Sequence, residues 1–496
     1  MSKSQLSAVV LAAGQGTRMK SDRAKVLHAL SGEPLYSFPV RLAFELGASP
    51  VALVVGHQAE SVEADARARF PAEPLRFALQ AEQLGTGHAV MQAMSVLEGA
   101  TGHVLILYGD VPLLTRASID PLFETARRTG AALVALTMLL DDAGAYGRIV
   151  RDAHGRIRKI VEAKDATPEQ RQLREANAGI YLIEAAFLVD ALSKLKNDNA
   201  QREYYLTDLV EMASNTETGA EAVVAADRDD VLGVNTRAEL AGLGRILMSR
   251  IRKRWMDEGV TLVDPDSTYI SPLAQIGRDT IIEPNVCLRG RARIGRDVHL
   301  DVGSIVSDAE IGDAAAVLPY SLVENAVVQR GARVGPFARL RPGADVGPGA
   351  HVGNFVELKN TRLGPNAKAN HLAYLGDASV GADSNVGAGT ITCNYDGVGK
   401  YRTEIGERVF IGSNSTLVAP LAIGDSAYVA AGSTITRDVP GDSLTFGRAQ
   451  QTDKLGRASE LRDRAKVRAA QEKAKKAKSA KTNGIEADTK SAKSSR

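Results

Sequence analysis

The sequence predicts two unlike folded halves: an α/β domain with a largely parallel sheet, then a parallel β-helix built on hexapeptide repeats. Three observations carry this. The chain has 496 residues, 44% of them hydrophobic, which is too long for one ordinary domain and apolar enough for at least two cores. Residues 1 to about 235 alternate short apolar runs with longer amphipathic stretches. From about residue 263 a six-residue repeat takes over.

In the first half, Ala8–Leu11, Val51–Val55, Phe77–Gln80, Val104–Leu107 and Leu133–Met138 read as strands, with Glu33–Leu46 and His88–Leu97 as helices between them. Thr236 with Glu239 three residues later is a capping-box signature, and Arg237–Glu258 has helical composition. That helix reads either as a bridge between the halves or as the last helix of the first.

The repeat unit pairs an aliphatic residue with glycine, as in Ile276-Gly, Ile294-Gly, Ile311-Gly and Val334-Gly. Pairs such as 346/352, 380/386 and 405/411 lie six residues apart, and 276/294 lie 18 apart. One inward aliphatic per hexapeptide, three hexapeptides to a coil, builds a triangular prism whose aliphatics stack from coil to coil. The repeat breaks over Ile391–Glu404, and a loop that interrupts a solenoid is the usual place for function. The expected boundaries are residues 1–237, a linker helix at 238–258, the β-helix at 259–456, and a basic, largely disordered tail at 457–496. Within the tail, Ala458–Lys481 has the composition of a polar helix.

A net charge of +2 hides a split. Gln451–Arg496 carries 14 Lys/Arg and 6 Asp/Glu, leaving 47 basic and 53 acidic residues elsewhere. The slightly acidic remainder gives no reason to expect nucleic acid as a specific partner, and the tail reads as solvated. Two cysteines, Cys287 and Cys393, argue against a disulfide scaffold and fit a reducing cytoplasm. No apolar run approaches the roughly 20 residues of a membrane span, so no membrane insertion is expected. The run Ala8–Ala13 is too short for the core of a signal peptide.

Two stretches carry chemistry. In LAAGQGTRM, Leu11–Met19, Gly14 and Gly16 let the backbone approach a ligand and aim N–H groups at phosphate oxygens, while Arg18 adds a planar cationic fork. Lys25 is a second cation suited to charge on phosphorus. Asp110 closes the run Val104–Leu107 at a strand's carboxyl end, where ligands of such sheets bind, and a carboxylate there suits Mg²⁺. In the second half His371 is the best candidate base, since its ordinary pKa lies near working pH. Arg341, Lys359, Tyr374 and Asn385 recur at roughly one-coil intervals, a spacing expected to stack them on one side of the shaft, and two cations there suit a phosphate.

The stretches LAAGQGTRMKS, LQAEQLGTGHAV, LYGDVPLL, YGRIV, NAGIYLI and GVNTR, in this order, resemble the sugar-nucleotidyltransferase family, most closely the uridylyltransferase half of bacterial bifunctional enzymes. NHLAYLGD and ITCNYDG resemble the acetyltransferase half of the same enzymes. The resemblance implies a Rossmann-like nucleotidyltransferase domain and a left-handed parallel β-helix. It implies that Leu11, Ala12, Ala13 and Gly14 hold the uracil and ribose side of UTP, with Gln80, Gly85 and Thr86 reading the base and Tyr108 and Gly109 also contacting the nucleotide. Gly147, Glu162 and Asn177 would hold the sugar, Asp110 and Asn235 would ligate Mg²⁺, and Arg18 and Lys25 would stabilise the transferring phosphate.

In the second half the resemblance implies that Arg341, Lys359, Tyr374 and Asn385 bind glucosamine-1-phosphate and that His371 takes the amine proton. Ala388, Asn394, Tyr395, Ser413, Ala431 and Arg448 would meet acetyl-CoA or the tetrahedral intermediate. The attack would be direct, with no role for Cys393 as nucleophile. The family's β-helices pack as homotrimers, and its enzymes make the cell-envelope precursor UDP-N-acetylglucosamine. One departure is visible: the family usually has Pro-Lys where this chain has Ala24-Lys25, which is expected to loosen the backbone before the lysine.

Overall fold

A computed structural model describes residues 6–97 and 99–491. In the first half, Leu6–Leu11 lies inside a mixed sheet, parallel to Val51–Val55 on one side and to His103–Tyr108 on the other. Leu75–Leu79 extends the parallel run past Val51–Val55. Glu175–Glu184 enters antiparallel between His103–Tyr108 and Leu133–Leu139, and Ala220–Val224 lies parallel outside the latter. The inner strands are buried along most of their length, which explains their continuous apolar runs.

The helix expected from Glu33 begins only at Ser37 and ends at Glu45. Glu33–Pro34 instead pairs antiparallel with Ala29–Leu30, around a turn in which Gly32 takes φ +89°. A left-handed glycine and a proline without an N–H suit a tight hairpin rather than a helical turn.

The second half is a left-handed parallel β-helix whose three faces are continuous parallel sheets of 11, 10 and 9 strands among the described residues. The first face runs from Thr261–Leu262 to Leu444–Thr445, the second from Tyr269–Ile270 to Thr434–Ile435, and the third from Gln275–Ile276 to Leu421–Ile423. Ile276, Ile294, Ile311, Val328 and Val346 stack in register down the third face, all buried. Along most strands a side chain in the shaft alternates with one outside, so the core is a column of mainly aliphatic residues. The break in the repeat is shorter than expected. Ile391–Cys393 still belongs to the second face and Thr403–Ile405 to the third, so the loop proper spans 394–402.

The helix Arg237–Asp257 serves both halves. Its N-terminal part buries Leu243 against Met19, Leu30, Leu113 and Val234, while Ile251 and Trp255 join the solenoid core. Arg252 Nε donates to the Thr268 carbonyl at 2.8 Å, tying its end to the first coils. The polar helix expected over Ala458–Lys481 is present and longer, spanning Arg457–Ser491. Its Ala, Lys, Arg and Glu are strong helix formers, and their intrinsic propensity favours helix without a packed face. Among the described residues, no helix is long and apolar enough to cross a membrane.

Candidate active sites

The first site lies where the central parallel strands end. The loop after Leu11, the Lys25 turn, Gln80 and the start of the helix Thr86–Met94 wall a cavity of about 290 Å³. Leu11, Ala12, Ala13, Gly14, Lys25, Gln80, Gly85, Thr86, Tyr108 and Asp110 all line it. A side chain built on Gly14 would meet no protein atom within 4 Å, so packing leaves room for a ligand there. Gly16 differs. It takes φ +68°, and a Cβ there would lie 2.4 Å from Lys25 Cβ, so glycine lets the two loops touch. Gln80 Nε2 donates to the Gly85 carbonyl at 3.0 Å, which fixes its amide at the cavity wall.

Four predicted polar residues converge. Lys25 Nζ pairs with Asp110 Oδ2 and lies 3.4 Å from Asn235 Oδ1, to which Arg18 donates at 2.8 Å. Gly109 N donates to the Leu11 carbonyl at 2.9 Å, holding the acidic strand end beside the glycine loop. Gly147, Glu162 and Asn177 form a second cluster: a Cβ on Gly147 would lie 3.7 Å from both the Glu162 carboxylate and Asn177 Cβ. Asn177 Nδ2 donates to Tyr181 OH at 2.7 Å, and Thr207 Oγ1 to Glu162 Oε1 at 3.1 Å. Burial pushes the Glu162 carboxyl above its usual range, partly offset by the Thr207 bond. Burial likewise raises Tyr108, with Glu162 adding to the shift.

Sequence reasoning missed several members. Gln83, Val26, Ala89 and Glu203 also line the cavity, and Gln83 Nε2 donates to the Ala13 carbonyl at 2.8 Å. Gln83 lay inside the quoted LQAEQLGTGHAV stretch and carried its own signal. Glu203 comes from a loop distant in sequence and carried none. The looseness expected at Ala24 is also corrected: its N–H, which a proline would lack, donates to Gln58 Oε1 at 2.8 Å.

The second site follows one corner of the prism. The strand pairing aligns Asn354 with His371 directly, and continuing the register sets Ala388, Ser413 and Ala431 at successive coils below. Arg448 follows, its Cδ 3.6 Å from the position of a Cβ on Gly432. Thus the predicted base and three predicted acetyl-CoA residues, Ala388, Ser413 and Ala431, form one line, with Arg448 one residue aside at its end. His371 is exposed, and its Nδ1 lies 2.6 Å from Asn354 Oδ1. An amide oxygen accepts only from a protonated Nδ1, which leaves the Nε2 lone pair free. Asn354 was missed, although it stands one coil before His371.

Arg341, Lys359 and Tyr374 lie on the second face, where Arg341 Nη1 pairs with Glu357 at 2.9 Å. The Tyr374 hydroxyl crosses Gly376; a Cβ there would sit 2.5 Å from it and 2.8 Å from Asn394 Nδ2. Asp377 accepts from Asn360 at 2.7 Å and from Asn394 at 2.5 Å. Burial would raise its pKa, but these bonds with Lys359 and Lys400 hold it below the usual carboxylate range. Tyr395 projects from the loop, its hydroxyl donating to the Gly397 carbonyl at 2.6 Å. One expectation fails: Asn385 does not share the face of Arg341, Lys359 and Tyr374. It pairs with Lys368 and Phe410 on the first face, because 11 residues separate it from Tyr374, well short of a full coil.

Comparison with known proteins covers both halves. Residues 8–202 match the family model of the MobA-like NTP transferase domain, and residues 402–437 that of the hexapeptide repeat of succinyl-transferase. A UDP-glucose pyrophosphorylase solved with UDP-glucose covers 50% of this chain and 99% of its own at 17% identity and TM-score 0.41, too loose a likeness to bear on function. The bifunctional protein GlmU of Anaeromyxobacter dehalogenans strain 2CP-1 is 51% identical over 454 residues, 92% of this chain and 93% of its own. That of Trichlorobacter lovleyi is 48% identical over 458 residues, 92% of this chain and 99% of its own. With both halves spanned at this identity, the chain belongs to the family of bifunctional GlmU proteins.

Proposed function

We propose that the chain makes UDP-N-acetylglucosamine in two steps, acetylating glucosamine-1-phosphate from acetyl-CoA and then transferring uridylyl from UTP to the product. The observation that carries this is the pair of separate polar constellations, around Asp110 and around His371, on a chain that matches bifunctional relatives across both halves.

In the acetyl transfer, the free Nε2 of His371 takes a proton as the amine attacks the thioester carbonyl. The C–S bond breaks, and the coenzyme leaves as a thiol after protonation. Asn354 holds the base in the required tautomer. Arg341 and Lys359 meet the sugar phosphate, and Tyr374 and Asn385 orient the sugar. Asn394 and Tyr395, with the corner line Ala388, Ser413 and Ala431 and with Arg448 at its end, seat acetyl-CoA. Cys393 plays no covalent part.

In the uridylyl transfer, a phosphate oxygen of the sugar-1-phosphate attacks the α-phosphorus of UTP in line and pyrophosphate departs. Gln80, Gly85 and Thr86 read the uracil, with Leu11–Gly14 beneath it and Tyr108 and Gly109 at the strand end. Gly147, Glu162 and Asn177 hold the sugar. Asp110 and Asn235 fit Mg²⁺, since both present oxygen to one point; such an ion would fill its remaining positions with phosphate oxygens and water and neutralise charge on the phosphates. Arg18 and Lys25 face the same phosphates.

A homotrimer fits the second site, because Asn385 stands on a different face from its partner residues and a neighbouring copy would bring the two faces together. Two free thiols suit the reducing cytoplasm as the place of action.

The test is direct. Purified protein given acetyl-CoA and glucosamine-1-phosphate releases free thiol, and given UTP and N-acetylglucosamine-1-phosphate releases pyrophosphate. His371→Ala abolishes the first and spares the second; Asp110→Ala does the reverse. Absence of thiol release from the unaltered protein rules the reading out.

A further inference from the structure

We propose that Lys25 is a placeholder for the metal: its ammonium occupies the Asp110–Asn235 oxygen pair in the free enzyme and is exchanged for the divalent cation only when nucleotide phosphates arrive. This rests on the reading of Asp110 and Asn235 as metal ligands.

The geometry carries it. Lys25 Nζ pairs with Asp110 Oδ2 and lies 3.4 Å from Asn235 Oδ1, so one ammonium bridges the two atoms that would bind the cation. Arg18 donates to the same Asn235 oxygen at 2.8 Å. Both members of the central pair are largely withdrawn from solvent, with side-chain exposures of 15% for Lys25 and 17% for Asp110. A carboxylate so enclosed needs a counter-charge at all times, and the lysine supplies it.

A dication and an ammonium do not share these oxygens, because like charges at that separation repel strongly in a largely buried site. Asp110 lines the cavity with Lys25, so a triphosphate there would offer the ammonium a new anionic partner within reach. The lysine then moves from carboxylate to phosphate as the cation takes its place. Two consequences follow: metal alone binds weakly, and nucleotide brings its metal with it. Gly16 keeps the path open, since a Cβ at that position would press on Lys25 Cβ.

The experiment measures Mn²⁺ alone on the full chain without nucleotide, through loss of the free-ion paramagnetic resonance signal. Removing the ammonium in Lys25→Met and Lys25→Gln tightens Mn²⁺ binding at least about tenfold over the unaltered protein. Lys25→Arg, which keeps the charge, leaves it weak. Circular dichroism melts confirm that each variant is folded, and either neutral variant suffices. If neutral variants bind Mn²⁺ no more tightly, while Asp110→Asn still removes the residual binding, the placeholder role is overturned and the metal assignment stands. Binding indifferent to Asp110→Asn in either background overturns both.

Discussion

Ala24 stands where the resembling family usually carries proline, and the structure replaces one constraint by another. Its φ of −52° is compatible with proline, so the backbone path before Lys25 does not need the alanine. The retained N–H is used instead, donating to Gln58 Oε1 at 2.8 Å, while Gln58 Nε2 donates to the Asp22 carbonyl. Gln58 therefore staples the segment that delivers Lys25 to Asp110. Gln58→Ala is expected to lower uridylyl-transfer kcat several-fold and leave acetyl transfer unchanged. Adding Ala24→Pro to that variant restores most of the loss, because ring stiffness substitutes for the lost bond at a position whose φ already suits it. Steady-state kinetics of the two single variants and the double variant check this. A double variant as slow as Gln58→Ala alone would mean that the glutamine acts by something other than backbone restraint.

At the scale of elements, the helix Arg237–Asp257 carries the most consequence. Its Thr236 capping box was legible in the sequence, but the second task of that cap was not. Glu239 Oε2 accepts from the backbone N–H of Asn235 at 2.6 Å as well as from Thr236 at 3.2 Å. The cap thus fixes the backbone of a proposed metal ligand, a link that needs two adjacent N–H groups to turn toward one carboxylate. Spacing alone does not reveal that. Thr236→Ala and Glu239→Ala each remove a capping bond and should each cost about 1 kcal/mol in thermal or denaturant unfolding. Only Glu239→Ala frees the Asn235 amide, so only it should lower uridylyl transfer by more than its stability loss explains. Equal activity losses in the two variants would assign the effect to helix fraying.

The same contrast separates what periodicity reveals from what it hides elsewhere. The column Ile276, Ile294, Ile311 was legible because one aliphatic per hexapeptide has no other use. The face of Asn385 does not follow from rough coil spacing, because its 11-residue offset from Tyr374 falls well short of the 17 or 18 residues a coil takes along most of the shaft. Glu203 in the first cavity was invisible because chain folding, not local pattern, brings it there.

For the whole molecule, the exposed surface states a requirement that neither half meets alone. Tyr320, Phe337 and Phe355 stack at one corner of the prism with ring centroids 5.4 Å apart, each about half exposed, and Leu372 continues the line directly beside His371. All four have positive φ, between 49° and 57°, a conformation that bulky side chains rarely adopt. Large apolar residues held at strained corners and left facing water form a patch of the kind that marks a protein interface. It adjoins the proposed base, and the polar residues of the second site are divided between two faces of one chain. In the proposed homotrimer the ladder would be covered by a neighbouring copy, and that neighbour would complete the acetyl-transfer site. Phe337→Asp sets a charge in the middle of the ladder, where covering it without a partner is costly. The expected result is a fall in mass by light scattering from three copies toward one, with loss of acetyl transfer. Uridylyl transfer should stay within about twofold, since its cavity is walled by one chain's first half alone. A variant that stays trimeric and fully active in acetyl transfer would show that the ladder faces solvent in the assembly and that the two faces meet elsewhere.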